Sequence, residues 1–106
     1  SEFWIRERGV DRIRVPTDAI DWIEKQGNYS CIHAAGRSHL LRISLENILD
    51  TIDPENFTRV HRSVIVRTDR ILRIKRMKTG ARQAVLSTGD NVPVGRSFVR
   101  NLRWTR

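Results

Sequence analysis

The chain has 106 residues, 39% of them hydrophobic and 30% charged, which fits one globular domain with a modest core. No run approaches the roughly 20 apolar residues of a transmembrane helix. The charged N-terminal stretch holds no apolar signal-peptide segment, and a single cysteine, Cys31, excludes an intrachain disulfide. Net charge is +8 and unevenly spread: residues 1–58 carry seven Lys/Arg against ten Asp/Glu, residues 59–106 thirteen against two.

Ser1-Glu2-Phe3 reads as a cloning remnant and residues 4–106 as one domain, cytoplasmic and without membrane contact. In chain order, Ile13 and Val15 alternate with Arg12 and Arg14 as in a half-buried strand. Ile20–Tyr29 reads as a strand running into a loop at Gly27, whose backbone freedom pushes Asn28 and Tyr29 outward; the same residues also fit a plain turn in which Asn28 caps its own backbone. Cys31 reads as a small buried hydrophobe. Ser44 is an N-cap for a helix with Leu45, Ile48, Leu49 and Ile52 on one face, closed by Asp53-Pro54. Ser63-Val64-Ile65-Val66 and Ile71-Leu72-Arg73-Ile74 are short apolar runs, and Ala84–Ser87 and Asn91–Val94 flank a Thr88-Gly89-Asp90 turn as a hairpin does. Phe98, Val99 and Leu102 opposite Arg100 and Arg103 give a short second helix. Trp4, Trp22, Phe57 and Phe98 are expected in the core. The fold expected is mainly β, built of small antiparallel sheets with one or two short helices.

Between Arg59 and Arg82 nine basic residues face only Asp69, a footprint for a polyanion. Seventeen of the twenty cations are Arg, the residue whose planar fork matches phosphate or a guanine edge. The segment Phe57-Thr58-Arg59-Val60-His61-Arg62-Ser63 crowds Arg59, His61, Arg62 and Ser63 between apolar anchors, where Arg and Ser can donate to phosphate. His61 reads as structural or phosphate-contacting rather than as a base, because no orienting acid or nucleophile is tied to it. Arg96 follows Gly95 at the mouth of the second helix, where a cation gains nothing from the helix dipole and so faces a negative group outside. No phosphate loop, metal motif or nucleophile elbow occurs. His33, His39 and His61 show no ligand spacing, so no cofactor, metal or enzymatic activity is expected.

Taken together, Ile23-Glu24 through Gly27-Asn28-Tyr29, Ser44-Leu45 with Ile48-Leu49, Phe57 through Ser63, and Val92-Pro93-Val94 with Arg96 resemble the LytTR family of bacterial DNA-binding domains across residues 4–104. The resemblance implies an elongated fold whose loops enter successive major grooves on one DNA face. It implies DNA-facing groups at Asn28, Tyr29 and Ser30, at Arg62 and Ser63 beside Arg59 and His61, and at Arg96. It further implies double-stranded DNA with repeated half-sites as the partner, pairing of two copies on it, and a receiver or sensor domain in the full-length chain. Two positions depart from the family pattern: Arg67 stands where Asn is common, altering the turn or adding a phosphate contact, and Gly95 where Ser is common, loosening the backbone near Arg96. Two other readings stay open: a non-specific or RNA-binding β module, and a protein-interaction domain with an acidic partner.

Overall fold

The structure, a computed structural model, describes residues 2–6 and 12–102. It is mainly antiparallel β, 47 × 27 × 24 Å, in three sheets. Strands β1 (Glu2–Arg6) and β2 (Arg12–Pro16) form a two-stranded ribbon. Strands β3 (Ile20–Gln26), β4 (Tyr29–Ala34), β5 (Arg37–Leu41), β6 (Phe57–His61) and β7 (Val64–Arg67) form the central sheet in the order β5-β4-β3-β7-β6. Strands β8 (Ile71–Arg76), β9 (Arg82–Leu86) and β10 (Asn91–Val94) form the third, in the order β10-β9-β8.

The central sheet separates two cores. Side chains alternate across a strand, so Ile23 and Ile65 face one side with Ile20, Ile32, Phe57 and the helix residues Leu45 and Ile48. Trp22, Val64 and Val66 face the other with Val60, Ala84, Leu86, Val92 and Val94. Strands β3 and β7 are therefore apolar on both faces, which is why Val64-Ile65-Val66 reads as an unbroken run. Each fully buried Ile contributes about 1.5–3 kcal/mol of transfer free energy.

Helix α1 spans Leu45–Leu49, with Ser44 extended at the N-cap and its Oγ accepting from Asn47 N–H at 3.1 Å. Ile52 is buried just past the helix, and Asp53 fastens the next loop by accepting from Glu55 N–H and Asn56 Nδ2. The second helical segment is a 3-10 helix, Arg96–Asn101, followed by buried Leu102; Arg103, assigned to its polar side, lies outside the described residues.

Three expectations change. Trp4 is 60% exposed rather than in the core: it pairs with Arg14, on the face of the ribbon opposite buried Val15. Arg67 does not reach outward to add a phosphate contact: it is 7% exposed, its Nε donates to Ile20 O at 2.8 Å, an Nη donates to Thr17 O, and its Cζ lies 4.6 Å from the Phe57 ring centroid. The histidines lack ligand spacing along the chain, yet cross-strand pairing brings His33 together with Glu24 and Cys31.

Candidate nucleic-acid interface

One end of the central sheet gathers three connections: the β3–β4 turn, the β6–β7 turn, and the link from β5 to α1. Gly27 takes φ +61° at the first position of the two-residue turn between Gln26 and Tyr29, the conformation a tight hairpin of this kind requires and only glycine adopts freely. Asn28 and Tyr29 stand exposed there. Lys25 N–H donates to Ser63 O at 2.8 Å, locking the hairpin to the β6–β7 turn. Between them lies a groove of about 300 Å³ lined by Lys25, Asn28, Tyr29, Arg42, Arg59 and Arg62, with Glu46 at the edge.

The β6–β7 turn is built by its own side chains. A register shift between Arg59 and His61 makes a bulge at Val60. His61 Nδ1 accepts from Ser63 N–H at 3.0 Å, which fixes the Arg62-Ser63 turn and defines the tautomer, since an accepting nitrogen carries no proton. Arg59 wraps the same turn: Nε donates to His61 O at 3.1 Å, one Nη donates to Arg62 O, and the other reaches Glu46 Oε2 at 3.3 Å. Arg62 itself is exposed. Glu46 stays ionised because its carboxylate is held below the ordinary range, first by a hydrogen bond from its own backbone and then by Arg59.

Arg96 is held near this turn by the bulge. Gly95 N–H donates to Val60 O at 2.7 Å, and Asn101 Nδ2 donates to Arg59 O at 3.0 Å, so the C-terminal 3-10 helix is strapped along β6. Arg96 is exposed at its start. Gly95 has φ −73° and ψ 145°, open to any residue; what its missing side chain makes room for is the Phe98 ring, 3.0 Å from where a Cβ would sit.

The expected site residues thus divide by role. Asn28, Tyr29 and Arg62 share one groove, and Arg96 stands exposed beyond the bulge. Arg59, His61 and Ser63 shape the turn, and Arg59 also lines the groove. Ser30 also lines the groove, but it is 1% exposed and its hydroxyl donates to Ile43 O at 2.6 Å, so it anchors the β5–α1 link. The basic run is also smaller than its sequence suggests. Arg67 is buried, and Arg70 is paired with Asp21 at 2.7 Å and Asp69 at 2.9 Å, with its pKa raised chiefly by the Asp21 hydrogen bond. Lys25 and Arg42, two of the few cations in the acidic half, were missed; their signal was that they flank the glycine turn and the Ser44 cap.

The model of the LytTr DNA-binding domain matches residues 11–105. The CO-responsive transcriptional regulator RcoM of Rhodospirillum rubrum is 34% identical over 91 residues, 84% of this chain but 38% of that protein, so the chain spans well under half of its relative's length. The LytTr DNA-binding domain of a Bacillus cereus protein described as a methyl-accepting/DNA response regulator superposes with a TM-score of 0.82 at 22% identity, covering 94% of this chain and 91% of that one, a likeness of fold.

Proposed function

The chain belongs to the LytTR family of DNA-binding domains, and from that premise we propose that it recognises a specific duplex sequence as the output domain of a bacterial transcription regulator. The observation that carries this reading is the shared groove of Asn28, Tyr29 and Arg62, flanked by Lys25 and Arg42. Asn can pair with an adenine edge and Arg with a guanine edge, and the lysine and second arginine supply attraction to phosphate. Arg96 reads a second position. The 47 Å length of the domain exceeds the roughly 34 Å between successive major grooves on one DNA face, so loops at separate places along it can enter two of them. Among the described residues no helix is long enough to serve as a recognition helix, which leaves the reading to loops. In the cytoplasm, a receiver or sensor domain of the full-length protein supplies the signal, and two copies pair on repeated half-sites.

The test is selection of the chain's targets from a random duplex pool at near-physiological salt, followed by sequencing. Enrichment of a short motif recurring about one helical turn apart supports the proposal. Recovery of duplexes without a common motif overturns sequence recognition, and preference for single-stranded RNA in competition overturns the duplex reading.

A further inference from the structure

Away from the groove, the β3–β4–β5 surface gathers three potential metal ligands. Antiparallel register sets Glu24 opposite Cys31 and Trp22 opposite His33, and strand alternation turns all four side chains to one face. The ligand atoms of Glu24, Cys31 and His33 lie within 4.8 Å of one another, and Glu24 Oε2 is 2.7 Å from His33 Nε2. The imidazole is held on two more sides. It stacks on Trp22 with centroids 4.1 Å apart and planes 15° from parallel, and its Nδ1 lies 3.0 Å from Ser38 Oγ. An imidazole that ligates a metal almost always uses its other nitrogen in such a hydrogen bond, which fixes ring and tautomer. Cys31 is buried, while Glu24 and His33 keep 30% and 23% of their side chains exposed, so the cluster is open to solvent from one side.

We propose that Glu24, Cys31 and His33 bind a zinc-type divalent cation, with a fourth position open to water. Thiolate, imidazole and carboxylate are the three donor types zinc takes, at about 2.3, 2.0–2.1 and 2.0–2.2 Å. Tetrahedral bonds of those lengths set neighbouring donors about 3–4 Å apart, so side-chain rotations suffice to close the site. On binding, the Cys31 thiol proton goes to solvent. The imidazole takes the tautomer with its proton on Nδ1, donating to Ser38 Oγ, and presents the Nε2 lone pair to the ion. In the metal-free chain burial, with the Glu24 charge as a smaller cause, raises the Cys31 pKa, so the thiol waits protonated. Because one ligand comes from β3 and two from β4, the ion cross-links the hairpin.

The reduced, metal-free 106-residue chain is titrated with Co(II) and then with Zn(II), with circular dichroism as the check on folding. One equivalent of Co(II) is expected to give thiolate-to-cobalt charge-transfer absorption, bands of a tetrahedral ion, and quenching of Trp22 on its stacked histidine; Zn(II) displaces all three. Cys31→Ser abolishes the charge-transfer band, and His33→Gln weakens binding by at least about tenfold. Ser38→Ala, an exposed substitution that leaves all three ligands in place, weakens it about 10–100-fold while keeping the band at saturation. A folded wild-type chain with no charge-transfer band in excess Co(II) overturns the proposal, as does an unchanged band and affinity in Cys31→Ser.

Discussion

The guanidinium of Arg67 lies 4.6 Å over the ring of Phe57 and donates to the carbonyl of Ile20 at 2.8 Å, so this cation closes the edge of a core. Its removal takes a donor from the carbonyls of Ile20 and Thr17, the latter still accepting from Ile20 N–H. Arg67→Ala is expected to lower unfolding stability by about 2–4 kcal/mol, measured by urea denaturation, through two lost charge-assisted hydrogen bonds and a lost cation–π contact. Undiminished stability together with a shallower salt dependence of DNA binding would show instead that Arg67 faces phosphate.

Arg62 offers the opposite signature. Arg62→Ala is expected to cost about 1–3 kcal/mol of affinity at the selected duplex, with less discrimination at one base position, while stability moves by no more than about 0.5 kcal/mol. Equal binding of all sequences by variant and wild type, read by titration on matched and mismatched duplexes, removes Arg62 from base recognition.

Ser30 and Asn28 form a matched pair two residues apart. Ser30→Ala removes the hydrogen bond to Ile43 and leaves that carbonyl unpaired, a stability loss of about 1–3 kcal/mol with duplex affinity of the folded protein retained. Asn28→Ala is expected to lower affinity and leave the melting temperature alone. Measuring both quantities on both variants separates anchor from contact, and a reversed pattern refutes the division.

Glu46 is the negative charge on the groove. Glu46→Gln is expected to strengthen duplex binding, most at low salt, because a carboxylate beside phosphate is removed. The folded-state pKa of Glu46 is depressed, so its stabilising contribution is present above the ordinary carboxylate range and is lost as pH falls through the folded value. Acid titration of stability should therefore be flatter in the variant. For the wild type, if about five phosphates are neutralised, log affinity should fall against log salt with a slope of about −4 to −5.

At Gly95 the expected loosening is replaced by a packing limit. Gly95→Ser puts a Cβ 3.0 Å from Phe98 Cδ2, so the ring must shift. A loss of about 1–3 kcal/mol is expected from the crowding, with altered affinity if Arg96 moves along with the strap. Thermal unfolding identical to wild type would show that Phe98 yields freely.

Much of this arrangement was legible in the residues. Ser44 before the Leu45, Ile48 spacing announced the helix and its cap, Gly27 the tight turn, and Thr88-Gly89-Asp90 the last hairpin. What misled was reading polarity as exposure. Ser30 shares strand parity with Ile32 and Ala34 and so turns inward, and Arg67 shares it with Ile65; alternation carried both answers, but a hydroxyl and a guanidinium argued for the surface. Trp4 misled in the opposite sense, since an indole reads as core until the pairing of its strand shows that it shares a face with Arg14 and not with Val15. The meeting of Glu24, Cys31 and His33, and the placing of Lys25 with Arg42, depend on which strands pair, and no single segment holds that information.

Strands β3 and β7 wall off one core from the other while lining both. Neither core can open without peeling the wall that the other leans on, so the two hydrophobic clusters melt together in a single transition. The last amides to exchange their hydrogens will be those of Ile23, Ile65 and Val66, at the heart of the shared partition, and damage at the groove end will be felt as far as the third sheet.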